Sequence, residues 1–188
     1  THVLMLEEPD IQHDSIIACL RDEYGFNVVQ LAFLPLGADR NTAVYRAVMD
    51  DTTHYFVKLR LGDYDETSVA LPKFLNEQGI LQVMAPVTTG SGQLWASLDA
   101  FKVILYPFIE GRNGYAVGLS DRHWSDLGTA LKAIHTAVVP PTLMTRIPRE
   151  TYSQRGRDAV KSFLENSDCD AFDHPVSIKL AALLRFRN

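Results

Sequence analysis

The sequence predicts an α+β fold in which helices and an antiparallel five-stranded sheet are followed by a region of helices alone. Two patterns predict this fold. Residues 28–61 contain three runs rich in β-branched and aromatic side chains, and spacers of hairpin length separate the runs. From Ser120 onward the apolar residues recur every three or four positions, which is the period of a helix. We therefore expect the sheet to come first along the chain and the helical region to follow it.

Each element has its own signal in the sequence. Residues 10–25 begin with a capping aspartate, keep their apolar residues at helical spacing and end on Gly25 as a stop, so they predict a first helix. A second helix is predicted at residues 66–78, where Pro72 is a defect unless it lies in the first turn. The first three predicted strands are residues 28–36, 43–49 and 54–61. After the second helix, two or three more strands are predicted among residues 83–89, 93–98 and 101–109. The predicted later helices are residues 120–139, 152–166 and 176–186.

The composition excludes several classes of protein. The chain has 188 residues, 46% of them hydrophobic, which is enough to bury a core without disulfides. No apolar run approaches the roughly 20 residues that cross a bilayer, so we expect no membrane partner and a cytoplasmic location. The formal net charge of -5 gives no basic excess for nucleic acid. Cys19 and Cys169 have no metal-binding spacing, and the oligomeric state is not indicated.

Lys58 is the first candidate site residue. It alternates with apolar residues in the third predicted strand, where a lysine is most often a solvated side chain. The strand follows a hairpin with glycine in its turn and precedes a helix that begins with Glu66. Glu66 is the natural partner of Lys58, although an acidic residue also suits a helix N-terminus without any further role. Glu77, at the far end of the same helix, is the second choice.

The turn between the first two predicted strands is the second candidate. It contains one glycine, Gly37, and does not match the G-x-G-x-x-G pattern, so it is also consistent with a plain turn. If the loop covers a nucleotide, its backbone N–H groups, the Thr42 hydroxyl and the Arg40 guanidinium are expected to contact phosphate.

The end of the last predicted strand is the third candidate. The strand ends at Tyr106, Pro107, Phe108 and Ile109 and passes through Glu110 and Gly111 into helical sequence. An adenine ring bound by backbone needs one carbonyl and, two residues later, one N–H group. Pro107 keeps its carbonyl and Ile109 has an N–H, so the pair fits. An edge strand that ends at Pro107 is the alternative.

Taken in order, these motifs resemble those of aminoglycoside phosphotransferases, and within that family the spectinomycin phosphotransferase branch. The residues that carry the resemblance are Gly37-Ala-Asp-Arg-Asn41, Tyr55-Phe-Val-Lys58-Leu, Asp65-Glu66, Gln78-Gly-Ile80, Tyr106-Pro-Phe-Ile109, Asn113-Gly-Tyr115 and Leu127-Gly-x-x-Leu-x-x-Ile-His135. The resemblance implies a protein-kinase-like fold that uses ATP and Mg to phosphorylate a hydroxyl of a small molecule.

The resemblance also implies roles for single residues. Lys58 would hold the α- and β-phosphates of ATP, and Glu66 would orient Lys58. Pro107 and Ile109 would bind adenine through the backbone. The loop over the phosphates would comprise Gly37, Arg40, Asn41 and Thr42. The segment from Tyr106 to Gly111 would be the hinge between the two lobes of the kinase-like fold. The core of the first helices after this hinge would include Trp124, Leu127 and Leu131.

The sequence departs from the family at the catalytic residues. Such enzymes need a catalytic aspartate in an H-x-D-x-x-x-x-N loop and a second aspartate for magnesium. His123-Trp-Ser-Asp126 has the wrong spacing, and Asp173-His174 has the reverse order. The chain itself therefore offers no catalytic residue and no metal ligand. We expect the base and the magnesium ligands beyond Asn188, and we expect these residues alone to be inactive.

The domain prediction follows from this departure. Residues 1–111 are expected to form a nucleotide-binding N-lobe with its hinge, and residues 112–188 the start of an incomplete helical C-lobe. The leading function is the N-terminal part of a phosphotransferase acting on an aminoglycoside or aminocyclitol. A kinase of choline, methylthioribose, homoserine or another metabolite is a second reading, and a nucleotide-binding module without catalysis is a third.

Overall fold

The computed structural model describes residues 7–36, 39, 41–62, 65–112, 114–149 and 154–166. The chain forms two compact units that divide between Ile147 and Pro148. The first unit contains the sheet and the helices up to residue 147, and the second contains one described helix. The division after Gly111 that the sequence suggests stays a prediction.

The predicted α+β fold with an antiparallel five-stranded sheet is confirmed. The strands are β1 (Val28–Leu34), β2 (Thr42–Met49), β3 (His54–Leu61), β4 (Ala96–Leu98) and β5 (Phe101–Pro107). They lie in the order β1-β2-β3-β5-β4, and every pair is antiparallel. Because β3 lies between β2 and β5, its side chains occupy the middle of the sheet.

The strand predicted at residues 83–89 is wrong. These residues run beside β5 without forming a ladder, although the Val87 N–H donates to the Leu105 carbonyl at 2.7 Å. Pro86 has no N–H to donate, so it interrupts continuous strand pairing at this point. The next predicted strand shortens to Ala96–Leu98 because the chain first turns back on itself, with the Thr89 N–H donating to the Gln93 carbonyl at 2.8 Å.

The first helix covers one face of the sheet. Helix α1 (His13–Tyr24) ends at Gly25, whose φ of +74° is the left-handed cap that glycine adopts without strain. Its buried residues Ile16 and Leu20 join a core that includes Val57 and Leu59 of β3. This packing confirms the predicted helix and assigns one face of β3 to the core.

The second helix begins after a turn that the Asp65 side chain holds. The Asp65 carboxylate accepts hydrogen bonds from the Thr67 N–H at 2.9 Å and from the Thr67 hydroxyl at 2.5 Å, which fixes the start of α2 (Thr67–Glu77). Pro72 lies inside the helix rather than in its first turn. Because proline has no N–H, the Ser68 carbonyl receives no helical hydrogen bond from it.

Helices follow the sheet, as predicted. They are α3 (Gly114–Val117), α4 (Asp121–Thr136), α5 (Pro141–Met144) and, in the second unit, α6 (Gln154–Asn166). Ser120 caps α4 together with His123, since each side chain bonds the other residue's backbone N–H at 3.3 Å. The helix predicted at residues 176–186 lies outside the described residues.

The apolar residues of α4 are more exposed than the sequence suggests. The Trp124 side chain is 58% exposed, and Leu127 and Leu131 on the same helix are also exposed. The core position expected for these residues is therefore not seen in the first unit.

In the part of the chain that the structure describes, no helix has the length and apolar character to cross a membrane.

Candidate nucleotide site

Lys58 lies near the centre of the sheet, on the face opposite α1. Its neighbours across the strands are Val44 of β2 and Ile104 of β5, and both are buried. The aliphatic stem of Lys58 therefore rises from an apolar floor, and the side chain is half-buried. None of the described carboxylates lies within ion-pair distance of its Nζ atom. The ammonium group is thus available to an anionic ligand.

Glu66 pairs with a different cation. Its carboxylate accepts a hydrogen bond from the Arg146 guanidinium, which follows α5. Glu77, the second choice, pairs with Lys73 at 3.4 Å. The structure therefore does not join Lys58 to either glutamate, and the pairing that the resemblance implies stays a prediction.

The loop between β1 and β2 is held by Asp39. Its carboxylate accepts hydrogen bonds from the Asn41 N–H at 2.9 Å, from the Thr42 hydroxyl at 3.2 Å and from the Arg60 guanidinium. The bond from the Asn41 backbone, with those from Thr42 and Arg60, lowers the pKa of Asp39 below its ordinary value. The loop is consequently fastened to β3 through a carboxylate that is ionised at neutral pH.

The predicted phosphate loop is described only in part. Gly37 and Arg40 lie outside the described residues. Asn41 and Thr42 sit where β2 begins, and the Thr42 hydroxyl also accepts from Arg60 at 3.2 Å. Sequence reasoning did not single out Arg60, although its position two residues after the candidate lysine places both cations on one strand face. The contact of this loop with phosphate stays a prediction.

The predicted adenine-binding segment begins where β5 ends. Pro107 is the last residue of β5 and lies opposite Tyr55. The Phe108 N–H donates to the His54 carbonyl at 3.2 Å, after which the chain leaves the sheet. Ile109 is 71% exposed, and its N–H makes no hydrogen bond to the described residues. The arrangement suits a ligand with one donor and one acceptor on the same edge.

Sequence reasoning missed a cluster beside this segment. The Arg46 guanidinium lies between Glu110, at 2.6 Å from its carboxylate, and His54, at 2.5 Å from its Nδ1 atom. Its Cζ atom is 4.5 Å from the centre of the Phe108 ring. Arginine in an otherwise apolar strand was a local signal, but Glu110 is 64 positions away in the chain. No local pattern connects residues at that separation.

A metal centre is not assembled within the described ranges. No group of three His, Cys, Asp or Glu side chains there could hold a metal ion. The cations and backbone groups of the first unit can bind an anion and the edge of a planar base.

The arrangement defines a class of protein. A lysine on the third strand of a five-stranded antiparallel sheet, followed by a helix and by a strand that leads into helices, is characteristic of protein-kinase-like phosphotransferases. No family model matches the sequence, and a comparison with curated proteins gives no match. Solved structures do match, and they confirm the predicted resemblance to aminoglycoside phosphotransferases.

Three solved structures illustrate the match. Spectinomycin phosphotransferase APH(9)-Ia in complex with ADP and spectinomycin is 30% identical, with a TM-score of 0.75 over 95% of this chain and 54% of that chain. The AMP-bound complex of the same enzyme is 28% identical, with a TM-score of 0.71 over 94% of this chain and 54% of that chain. Amicoumacin kinase hAmiN in complex with AMP-PNP, Ca2+ and Ami is 15% identical, with a TM-score of 0.52 over 93% of this chain and 54% of that chain, and its likeness concerns the fold alone. The chain thus spans about half the length of the structures it matches.

Proposed function

We propose that this chain is the nucleotide-binding part of an ATP-dependent phosphotransferase. Its reaction would transfer the γ-phosphate of ATP to a hydroxyl of an aminoglycoside or aminocyclitol. The observation that carries the proposal is the half-buried side chain of Lys58, which rises from an apolar floor and has no carboxylate partner among the described residues. A partly buried cation without a partner is stabilised most when a phosphate neutralises its charge.

The spacing of the site supports ATP as the ligand. Pro107 lies opposite Tyr55, three residues before Lys58 on β3. At about 3.3 Å per residue, the adenine-binding segment and the lysine are roughly 10 Å apart along the strand. An extended nucleotide spans a distance of that order between its base and its phosphates. In this proposal Pro107 and Ile109 bind adenine, and Lys58 binds the α- and β-phosphates.

The remaining contacts of the proposal are distributed around the phosphates. Asn41 and Thr42, with Gly37 and Arg40 outside the described residues, would cover them, and Glu66 would orient Lys58. Mg is proposed to accompany ATP, since it neutralises the phosphate charge during transfer. Because the sequence contains no H-x-D-x-x-x-x-N loop, the magnesium ligands and the catalytic base are proposed to be supplied by residues beyond this sequence. The 188 residues alone are therefore proposed to bind nucleotide without catalysing transfer.

The proposed acceptor class rests on the similarity of this chain to a solved structure. APH(9)-Ia was crystallised with ADP and spectinomycin, which supports an aminocyclitol as the first acceptor to try. The second candidate is a nucleotide-binding module without catalysis. The absence of the H-x-D-x-x-x-x-N motif from the sequence favours this candidate. A kinase of another small metabolite would differ from the leading proposal only in its acceptor.

Nucleotide binding is tested by isothermal titration with AMP-PNP. Lys58→Met keeps the aliphatic stem and removes the charge, so we expect the affinity to fall by about tenfold or more. Lys132→Met is the matched control because Lys132 is an exposed lysine on α4. Equal affinity of wild type and Lys58→Met would contradict the site.

Transfer is tested with γ-labelled ATP, Mg and a panel of aminocyclitols and small alcohols. The 188-residue chain is expected to label none of them, and a gene product that continues into an H-x-D loop is expected to label an aminocyclitol. Label transfer by the 188-residue chain would refute its proposed inactivity. If the longer product binds AMP-PNP but labels no acceptor, the binding module is the better description.

A further inference from the structure

Four side chains fasten the segment after β5 to strands β2 and β3, and we call them the hinge clamp. They are Arg46, His54, Phe108 and Glu110. Arg46 is central, since one of its nitrogen atoms, Nη2, contacts both His54 and Glu110, and its Cζ atom lies over the Phe108 ring. Arginine is always a donor, so the Nδ1 atom of His54 acts as the acceptor.

The hinge clamp alternates with the proposed adenine contacts. Phe108 and Glu110 carry the clamp side chains, whereas Pro107 and Ile109 supply the backbone groups. Arg46 thus holds the residues on either side of Ile109 and leaves that residue exposed. Fixing alternate residues restricts the rotation of the two peptide groups between them.

The Pro107 carbonyl is oriented by a backbone hydrogen bond of the next residue, Phe108. In a trans peptide the C=O and the following N–H point in opposite directions, and the chain has no cis peptide bonds among its described residues. The Phe108 N–H points to the His54 carbonyl of β3. The Pro107 carbonyl therefore points away from β3. On that side β4 pairs only with Phe101–Val103 and does not reach Pro107.

We propose that Arg46 is a positioning residue for adenine recognition. The inference rests on the proposed function and adds a residue that does not touch the nucleotide in that proposal. Glu110 is 72% exposed, so its ion pair with Arg46 adds little to the stability of the fold. The contacts instead order an exposed segment before a ligand arrives, which reduces the entropy lost on binding.

The experiment separates base recognition from phosphate recognition. Titrations of the 188-residue chain with adenosine and with AMP-PNP are compared for wild type, Arg46→Met, Glu110→Gln and Lys58→Met. Arg21→Met is the matched control because Arg21 is an exposed arginine of α1 in an ion pair with Asp22. Arg46→Met is expected to weaken both ligands by the same factor, about tenfold. Glu110→Gln is expected to weaken both by a smaller factor, and Arg21→Met to change neither.

Lys58→Met provides the contrast, because it is expected to weaken AMP-PNP far more than adenosine, which has no phosphate. Unchanged adenosine affinity in Arg46→Met would overturn the inference. So would a loss confined to AMP-PNP, since that result indicates a general effect of positive charge. If Arg46→Met fails to fold, the titration of Glu110→Gln tests the role of Arg46, because that substitution replaces an exposed side chain. An adenosine affinity of Glu110→Gln equal to that of wild type would then overturn the inference.

The two proposals fail in different ways. If wild type binds neither ligand, the proposed function is wrong and the role of Arg46 is refuted with it. If wild type binds both ligands and Lys58→Met loses AMP-PNP while Arg46→Met and Glu110→Gln behave as wild type, only the role of the hinge clamp is refuted.

Discussion

Leu59→Ala tests the assignment of the two faces of β3. The Leu59 side chain is 0% exposed and belongs to the core between the sheet and α1. The substitution removes three carbon atoms, which at about 0.8 kcal/mol per buried CH₂ group is about 2.4 kcal/mol of lost transfer free energy. The cavity left behind adds to this, so we expect the free energy of unfolding to fall by about 3 kcal/mol, within the range of roughly 2–5 kcal/mol for such changes.

Lys58, the neighbour of Leu59 in the chain, provides the comparison within the same strand. Lys58 lies on the opposite face, and Lys58→Met removes no ion pair formed by the described residues. We therefore expect Lys58→Met to change the free energy of unfolding by less than about 0.5 kcal/mol. The two variants should differ in the opposite sense in nucleotide affinity. Lys58→Met is expected to lose affinity for the nucleotide, whereas Leu59→Ala is expected to keep wild-type affinity at temperatures where it is folded.

Thermal melting followed by circular dichroism, with AMP-PNP titration at 15 °C below each midpoint, measures both effects. For a chain of this size a loss of about 3 kcal/mol lowers Tm by roughly 6–12 °C. A midpoint for Leu59→Ala equal to that of wild type would refute the burial argument. An equal fall in Tm for both variants would refute the division of β3 into a core face and a ligand face.

Three further predictions concern the rest of the first unit. Burial raises the pKa of the Cys19 thiol to about 11, so in a Cys169→Ser variant the thiol should react slowly with a disulfide reagent at pH 8 and rapidly after unfolding; equal rates would contradict this. Hydrogen bonds from Thr67 lower the pKa of Asp65, so their stabilisation is present above the ordinary aspartate pKa and is lost as pH falls through the lowered value. The difference in Tm between wild type and Asp65→Ala should therefore shrink from pH 7 to pH 3, and a constant difference would exclude the mechanism. The buried Tyr24 hydroxyl donates to a β5 carbonyl at 2.8 Å, so Tyr24→Phe should cost about 1 kcal/mol in urea unfolding, and no change would show that water replaces the bond.

Local patterns account for most of what the sequence predicted about the fold. The α1 and α4 helices each combine a periodic apolar pattern with an end signal, Gly25 and Ser120 respectively, and both signals act over a few residues. The failure at residues 83–89 also has a local cause. Their β-rich composition favoured a strand, but Pro86 removes the N–H group that continuous pairing needs.

The places of the candidate site residues were predictable only within one segment. Lys58 was predicted to lie in a strand and Pro107 near the end of one, and the structure places them in β3 and at the end of β5. The partners of Arg46 and Glu66 were not found, because the contacts join residues 64 and 80 positions apart. Contacts of this kind depend on how strands and helices pack in three dimensions, and a single sequence carries no pattern for them.

The Glu66 carboxylate is bound by Arg146 in the structure and is the partner of Lys58 in the proposed function. Arg146 follows α5, and α5 contacts α2. If Glu66 turns to Lys58 when phosphates bind, as the proposed function requires, the Arg146 guanidinium must share or release its partner. Occupation of the nucleotide site would then loosen the contact between α2 and α5. By reciprocity, a ligand or segment that holds Arg146 elsewhere would favour the pairing of Glu66 with Lys58 and tighten nucleotide binding by the same factor.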